Sequence, residues 1–326
     1  ELESKPDYRI ILYGDSNIQA KFSDLEDTYA HQIEQHLKQF SNQNIEVINA
    51  GIVGNGPDQY LLNFKRQFEK YRPDLVLFHI TCHNDFGDLL RNRLFELDEK
   101  DSLILTNHKR TNDIAFEEKR GGWKAYINSL LTVKAGIKIV DSLFPMTADD
   151  HINFCLSQSE LEYQNYLNNS SKAFGNFDDY AEVSLSCFPN SDASKLKQKL
   201  MNGVLKEAKR FADEKQIPFY ISIQPCIVDI TTNVDLTYKD LEQFEDFKRT
   251  NVSDMVEKIC LDNQIVHTNL YNTFIENDPN SLYFLVNNAH WNNEGQKLAA
   301  EIVSTDLWEK FIEHRDSKER IEGLRE

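Results

Sequence analysis

Tyr8-Arg9-Ile10-Ile11-Leu12-Tyr13-Gly14 is a short, mostly apolar run stopped by a glycine, and it reads as a buried β-strand. Residues 28–40 follow, with Ala30, Ile33, Leu37 and Phe40 at helical spacing. Ile45-Glu46-Val47-Ile48-Asn49 is a second strand, leading into the glycine-rich stretch Gly51-Ile52-Val53-Gly54-Asn55-Gly56-Pro57. A helix over about 57–71 buries Leu61, Phe64 and Phe68. Pro73-Asp74 then opens a third strand, Leu75-Val76-Leu77-Phe78-His79-Ile80. Strand, helix, strand, helix, strand in this order is the pattern of βαβ units and a parallel sheet.

The same rhythm returns towards the C-terminus. An amphipathic helix over about 192–215, with Leu196, Leu200, Val204, Ala208 and Phe211, leads to the strand Pro218-Phe219-Tyr220-Ile221-Ser222-Ile223. A helix over about 238–262 precedes the strand Ile265-Val266-His267, and a closing helix runs from about 293 to 314. Residues 90–190 break the alternation and read as an insertion, a lid or substrate wall. Within it, Leu94-Phe95-Glu96-Leu97 and Leu103-Ile104-Leu105 make a small hairpin, and 123–144 has the spacing of a helix. The whole of 1–326 is expected to form one domain, with a charged tail over about 315–326.

Composition limits the partners. A net charge of −17 repels nucleic acid and anionic surfaces, and no stretch is apolar for long enough to span a bilayer. The five cysteines, Cys82, Cys155, Cys187, Cys226 and Cys260, are widely spaced, without the paired spacing of a disulfide framework or a zinc site. A single Cys155–Cys187 bridge stays open. The chain begins at Glu1 without a methionine, so a trimmed leader or anchor is compatible with it and the compartment stays open.

Gly14-Asp15-Ser16-Asn17 lies where the first strand ends, and active sites in open α/β sheets gather at the carboxyl ends of strands. Gly, Asp and Ser are also ordinary turn formers, so alone the stretch does not decide. His290 immediately precedes the last helix. A serine hydroxyl needs a base to take its proton, and histidine has the suitable pKa. Gly51 and Asn84 follow the second and third strands at the same sheet edge. A backbone N–H and a side-chain amide there can both donate to one developing oxyanion. His79, Thr81 and His83 alternate beside Cys82 and hint at a metal site, but no further ligand joins them at metal spacing, so polar residues lining a strand end is the simpler reading.

Taken together, Gly14-Asp15-Ser16, Asn49-Ala50-Gly51-Ile52-Val53-Gly54, Cys82-His83-Asn84-Asp85 and the segment ending in His290-Trp291-Asn292 resemble, in order and spacing, the four sequence blocks of the SGNH (GDSL-like) hydrolases. The resemblance covers the two ends of the chain and leaves out 90–190. It implies a three-layer α/β/α sandwich around a mainly parallel, five-stranded, flavodoxin-like sheet. It also implies a cofactor-free serine esterase acting on a short-chain or carbohydrate O-acyl ester, with Ser16 as nucleophile and His290 as base. The oxyanion donors would be the Ser16 and Gly51 N–H groups and the Asn84 amide. It implies no metal, and the oligomeric state stays open.

Two departures stand out. Cys82 holds a position that is usually glycine in the third block. More important, the family places an aspartate three, sometimes two, residues before the histidine, and here those positions are Asn287 and Asn288. An Asn can orient the imidazole but cannot supply the charge that stabilises the imidazolium, and in a serine protease triad that exchange lowers turnover by about 10⁴-fold. A Ser–His dyad, an acid from elsewhere, or a substitution that slows the enzyme all fit the sequence. Two other functions fit it as well. One is acyl transfer to a glycan, although relatives that do this place their Asp-His motif ahead of the serine. The other is a degenerate glycan-binding protein.

Overall fold

The computed structural model describes residues 6–41, 43–106, 148–168, 182–231, 241–284 and 290–313. Its centre is a five-stranded sheet in which every pairing is parallel, built from β1 (Tyr8–Tyr13), β2 (Ile45–Asn49), β3 (Leu75–Thr81), β6 (Phe219–Gln224) and β7 (Val266–Asn269). The small hairpin of β4 (Phe95–Leu97) and β5 (Leu103–Leu105) stands apart as an antiparallel pair. Strand order in the sheet is β2-β1-β3-β6-β7. β1, β3 and β6 are buried along their whole length, as their near-continuous apolar runs require of strands covered on both faces.

The helices in chain order are α1 (Ser16–Gln19), α2 (Tyr29–Phe40), α3 (Pro57–Tyr71), α4 (Asp85–Asn92), α5 (Ala148–Leu167) and α6 (Val183–Cys187). They continue as α7 (Asp192–Glu214), α8 (Ile227–Ile230), α9 (Asn251–Asp262), α10 (Tyr271–Glu276) and α11 (Asn293–Leu307). Residues from α2 and α11 build the apolar layer on one face of the sheet, with Ile33, Leu37, Ala299 and Val303 packed against Ile10 and Leu12. Residues from α3, α7 and α9 build the other, where Leu61, Phe64, Val204 and Val256 meet Ile11, Phe78 and Ile221. The result is the three-layer α/β/α sandwich expected from the sequence.

Local chemistry sets the helix starts. Thr28 caps α2, Ser191 caps α7 and Asn292 caps α11, each accepting a backbone N–H from the first turn. Pro57 occupies the first position of α3, where its missing N–H costs nothing. Among the described residues, no helix is long and apolar enough to cross a membrane.

The expected helix over 238–262 is shorter than its pattern. Residues 241–243 form one 3-10 turn, and the α-helix begins only at Asn251. Phe244 and Phe247, three residues apart, pack against the core from turns. The five cysteines are all buried thiols, so the Cys155–Cys187 bridge left open by the sequence is not made. The helix expected over 123–144 and the tail over 315–326 lie outside the described residues. Within the stretch read as an insertion, Ile152 and Cys155 of α5 and Val183 and Leu185 of α6 belong to the same apolar core as α4 and α7.

Candidate active site

The strand order reverses direction between β1 and β3, because β2 lies on one side of β1 while β3, β6 and β7 lie on the other. Loops leaving β1 and β3 at their carboxyl ends therefore diverge and open a crevice, the usual ligand site of open parallel sheets. Ser16 follows β1 and Asn84 follows β3, so the two flank this opening.

The turn that carries Ser16 is tight. A side chain at Gly14 would bring its Cβ to 2.2 Å from Ile18 Cγ1, so only glycine lets α1 fold back onto the end of β1. Asp15 caps α1 by accepting the Asn17 N–H at 2.8 Å. Ser16 itself is half-buried, with its hydroxyl 2.6 Å from His290 Nε2, a contact between residues 274 positions apart.

A clasp next to this pair fixes how the two segments meet. Asn17 Oδ1 accepts the Trp291 N–H at 3.2 Å, and Asn17 O accepts from Gln296 Nε2 at 3.1 Å. Gln296 also accepts the Tyr29 N–H at 2.8 Å, tying α11 to the start of α2. Trp291 is fully buried and packs edge-on to Tyr29 and His79. The neighbours of Ser16 and of His290 are thus bonded to each other, which sets the hydroxyl–imidazole distance from both sides.

Gly51 is placed beside the Ser16 turn, since Ala50 N donates to Leu12 O and Ile52 N to Gly14 O. A Cβ at Gly51 would lie 2.5 Å from Gln19 N, so no larger residue fits against α1. Its N–H, however, is donated to Asn49 Oδ1 at 2.9 Å, while Asn49 Nδ2 holds Ile18 O at 2.7 Å. In this arrangement the Gly51 donor is engaged within its own loop. Asn84 is buried, and its Nδ2 donates to Asp88 Oδ2 at 2.8 Å. Positions 287 and 288, expected to support the base, lie outside the described residues.

Burial dominates the electrostatics. It lowers the His290 pKa from its usual 6.5, which favours the neutral imidazole needed by a base. Asp15 is pushed up to about 6, chiefly by burial, with the Asn17 N–H opposing and the Asp88 charge adding to the rise. His83 falls to about 3 through burial, with the neighbouring His290 and Arg91 charges acting in the same direction. His79 has both ring nitrogens engaged, with Ser222 Oγ at 2.8 Å and Gln224 Oε1 at 2.9 Å, and burial brings it down to about 4. It is a satisfied core histidine, and among the described residues no cluster of metal-ligating side chains forms.

Sequence reading missed Asn17 and Gln296, whose partners are remote in the chain and follow no period. It also missed Asp88 and Arg91, although Asn84, Asp88 and Arg91 sit at helical spacing.

The chain matches no protein-family model and no curated protein. Among solved structures it is similar to the acetyl xylan esterase AlAXEase, at 14% identity and TM-score 0.42 over 93% of this chain and 100% of that one. A catalytic mutant of an acetylxylan esterase from Geobacillus stearothermophilus aligns at 11% identity and TM-score 0.46, over 94% and 96% of the two chains. A two-domain esterase active on acetylated mannans aligns at 11% identity and TM-score 0.43, over 92% of this chain and 48% of that one. Likeness at this level assigns no residue a role.

Proposed function

We propose that the chain is a serine ester hydrolase of the SGNH type, in which His290 activates Ser16 towards an acyl ester. The observation that carries this reading is the 2.6 Å contact between Ser16 Oγ and His290 Nε2 at the mouth of the sheet crevice. In the first step Nε2 takes the hydroxyl proton as Oγ attacks the acyl carbon. The carbonyl electron pair moves onto oxygen, and in this reading the Ser16 N–H and the Asn84 amide donate to it. Collapse expels the alcohol, which takes the proton from the imidazolium. Water, deprotonated by the same nitrogen, then attacks the acyl-enzyme and releases the acid and Ser16.

The substrate side of the reading rests on the rim. Phe22 is 61% exposed and stacks edge-on with Phe284 and with the His290 ring, each at 6.0 Å between centroids. Ile52 and Val53 project from the loop after β2 and are also exposed. Such a rim suits a short acyl group or the apolar face of a sugar bearing it.

The test is the pH profile of p-nitrophenyl acetate hydrolysis. A base is active when neutral, so kcat/KM should rise with pH through one ionisation and level off above it. Because burial lowers the His290 pKa, that acid limb is expected below pH 6.5. No hydrolysis at any pH, or a limb centred above 7, contradicts the reading.

A further inference from the structure

We propose that Asp88 is a positioning residue for the Asn84 amide, and that Glu162 of α5 holds it in that role through Arg91. The inference deepens the esterase reading and rests on Asn84 acting as an oxyanion donor.

An amide side chain can present its oxygen or its NH₂ group with almost the same shape, but only the NH₂ can serve an oxyanion. A carboxylate accepts and does not donate. Asp88 Oδ2, 2.8 Å from Asn84 Nδ2, therefore selects the orientation that an oxyanion donor needs. One N–H is spent on Asp88 and the second is left for an oxygen in the crevice. With the Gly51 N–H committed to Asn49, a larger share of the oxyanion falls to this amide.

The carboxylate is itself held. Asp88 Oδ1 accepts from Arg91 Nε at 3.2 Å and from its terminal nitrogen at 3.0 Å. The same terminal nitrogen donates to the Asn84 backbone oxygen at 3.2 Å, closing a ring of Asn84, Asp88 and Arg91. The other terminal nitrogen of Arg91 donates to Glu162 Oε1 at 3.2 Å, and Glu162 is 1% exposed. α5 thus reaches the crevice by a chain of charges, although it lies outside the blocks that resemble the hydrolase family.

A purely structural account fits less well. Asn84 occupies the N-cap position of α4, where an Asn ordinarily accepts a first-turn N–H, yet its side chain makes no capping bond. It forgoes that bond and donates to Asp88. Buried ion pairs are also weak stabilisers compared with apolar packing, so fold stability alone gives little reason to keep one here.

A double-mutant cycle on p-nitrophenyl acetate separates the possibilities. Asn84→Ala should lower kcat by about 100-fold with KM changed by less than about twofold. Asp88→Asn, which can donate as well as accept and so no longer selects the amide orientation, should lower kcat by about tenfold in the parent chain. In the Asn84→Ala background it should cost less than about twofold more, because its action passes through Asn84. Glu162→Gln should show the same dependence with a smaller loss, and it carries the test if Asp88→Asn does not fold. Losses that multiply in the double variant, or a parent-like kcat in both Asp88→Asn and Glu162→Gln, overturn the proposal. If Asn84→Ala leaves kcat intact while Ser16→Ala abolishes turnover, the donor and positioning roles fall and the esterase reading stands. If Ser16→Ala retains full turnover, the esterase reading falls first.

Discussion

Replacing Ser16 with alanine is expected to reduce kcat for p-nitrophenyl acetate by at least about 10⁴-fold and to leave the fold intact. The size follows from what is lost. Without the hydroxyl no acyl-enzyme forms, and only positioning and oxyanion stabilisation remain, which in serine hydrolases leave a small residue of the original rate. The structural cost should be modest. The hydroxyl contacts His290, and deleting one half-buried hydrogen bond costs about 1 kcal/mol. A melting curve and a turnover measurement on the same sample check both halves. Turnover that survives with an unchanged melting point would mean that another group performs the chemistry.

The second large effect runs in the opposite direction. By the resemblance to the SGNH hydrolases, an aspartate is expected where this chain has Asn287 or Asn288, and one of Asn287→Asp and Asn288→Asp is expected to raise kcat by about 100-fold or more. The ceiling is the roughly 10⁴-fold that the reverse exchange costs a serine protease. Electrostatics gives the reason. The pKa of His290 is lowered by burial, so the imidazolium that the proposed proton transfer from Ser16 would form is disfavoured. A carboxylate on the far side of the ring would stabilise that cation and hold the tautomer with Nε2 free to accept. The same change should move the acid limb of the pH profile upward, because the opposite charge raises the His290 pKa. Parallel measurement of kcat and the limb in both variants identifies the vacant position. No gain in either would mean that the base is already fully supported.

Most of the sheet was legible because its central strands, β1, β3 and β6, are buried along their whole length. The apolar runs at 8–13, 75–80 and 218–223 need no alternation to stand out, β2 at 45–49 is marked by its Ile and Val although it is only partly buried, and the helices between them carry clean stripes. α5 was not legible, for a specific reason. Its buried face is Ile152, Cys155, Ser159, Glu162 and Tyr166, so polar residues interrupt the stripe that would have announced a helix. The overextended helix before β7 shows the converse, where Phe244 and Phe247 have helical spacing but reach the core from turns. Ser16 and His290 could be paired from motif order alone. Their alignment could not, because it depends on Asn17 meeting Trp291 and Gln296 across more than 270 positions. The commitment of the Gly51 N–H to Asn49 was equally hidden, since an Asx turn and an open oxyanion donor have the same sequence.

Whether His290 makes Ser16 a nucleophile can be read by covalent trapping. A fluorophosphonate probe loses fluoride to an activated serine oxygen and leaves a phosphonyl ester that peptide mass spectrometry can locate. One adduct is expected, on Ser16, formed quickly in the parent chain and at least about 100-fold more slowly in His290→Ala. An adduct on another residue, or labelling of Ser16 at the same rate without His290, would contradict it.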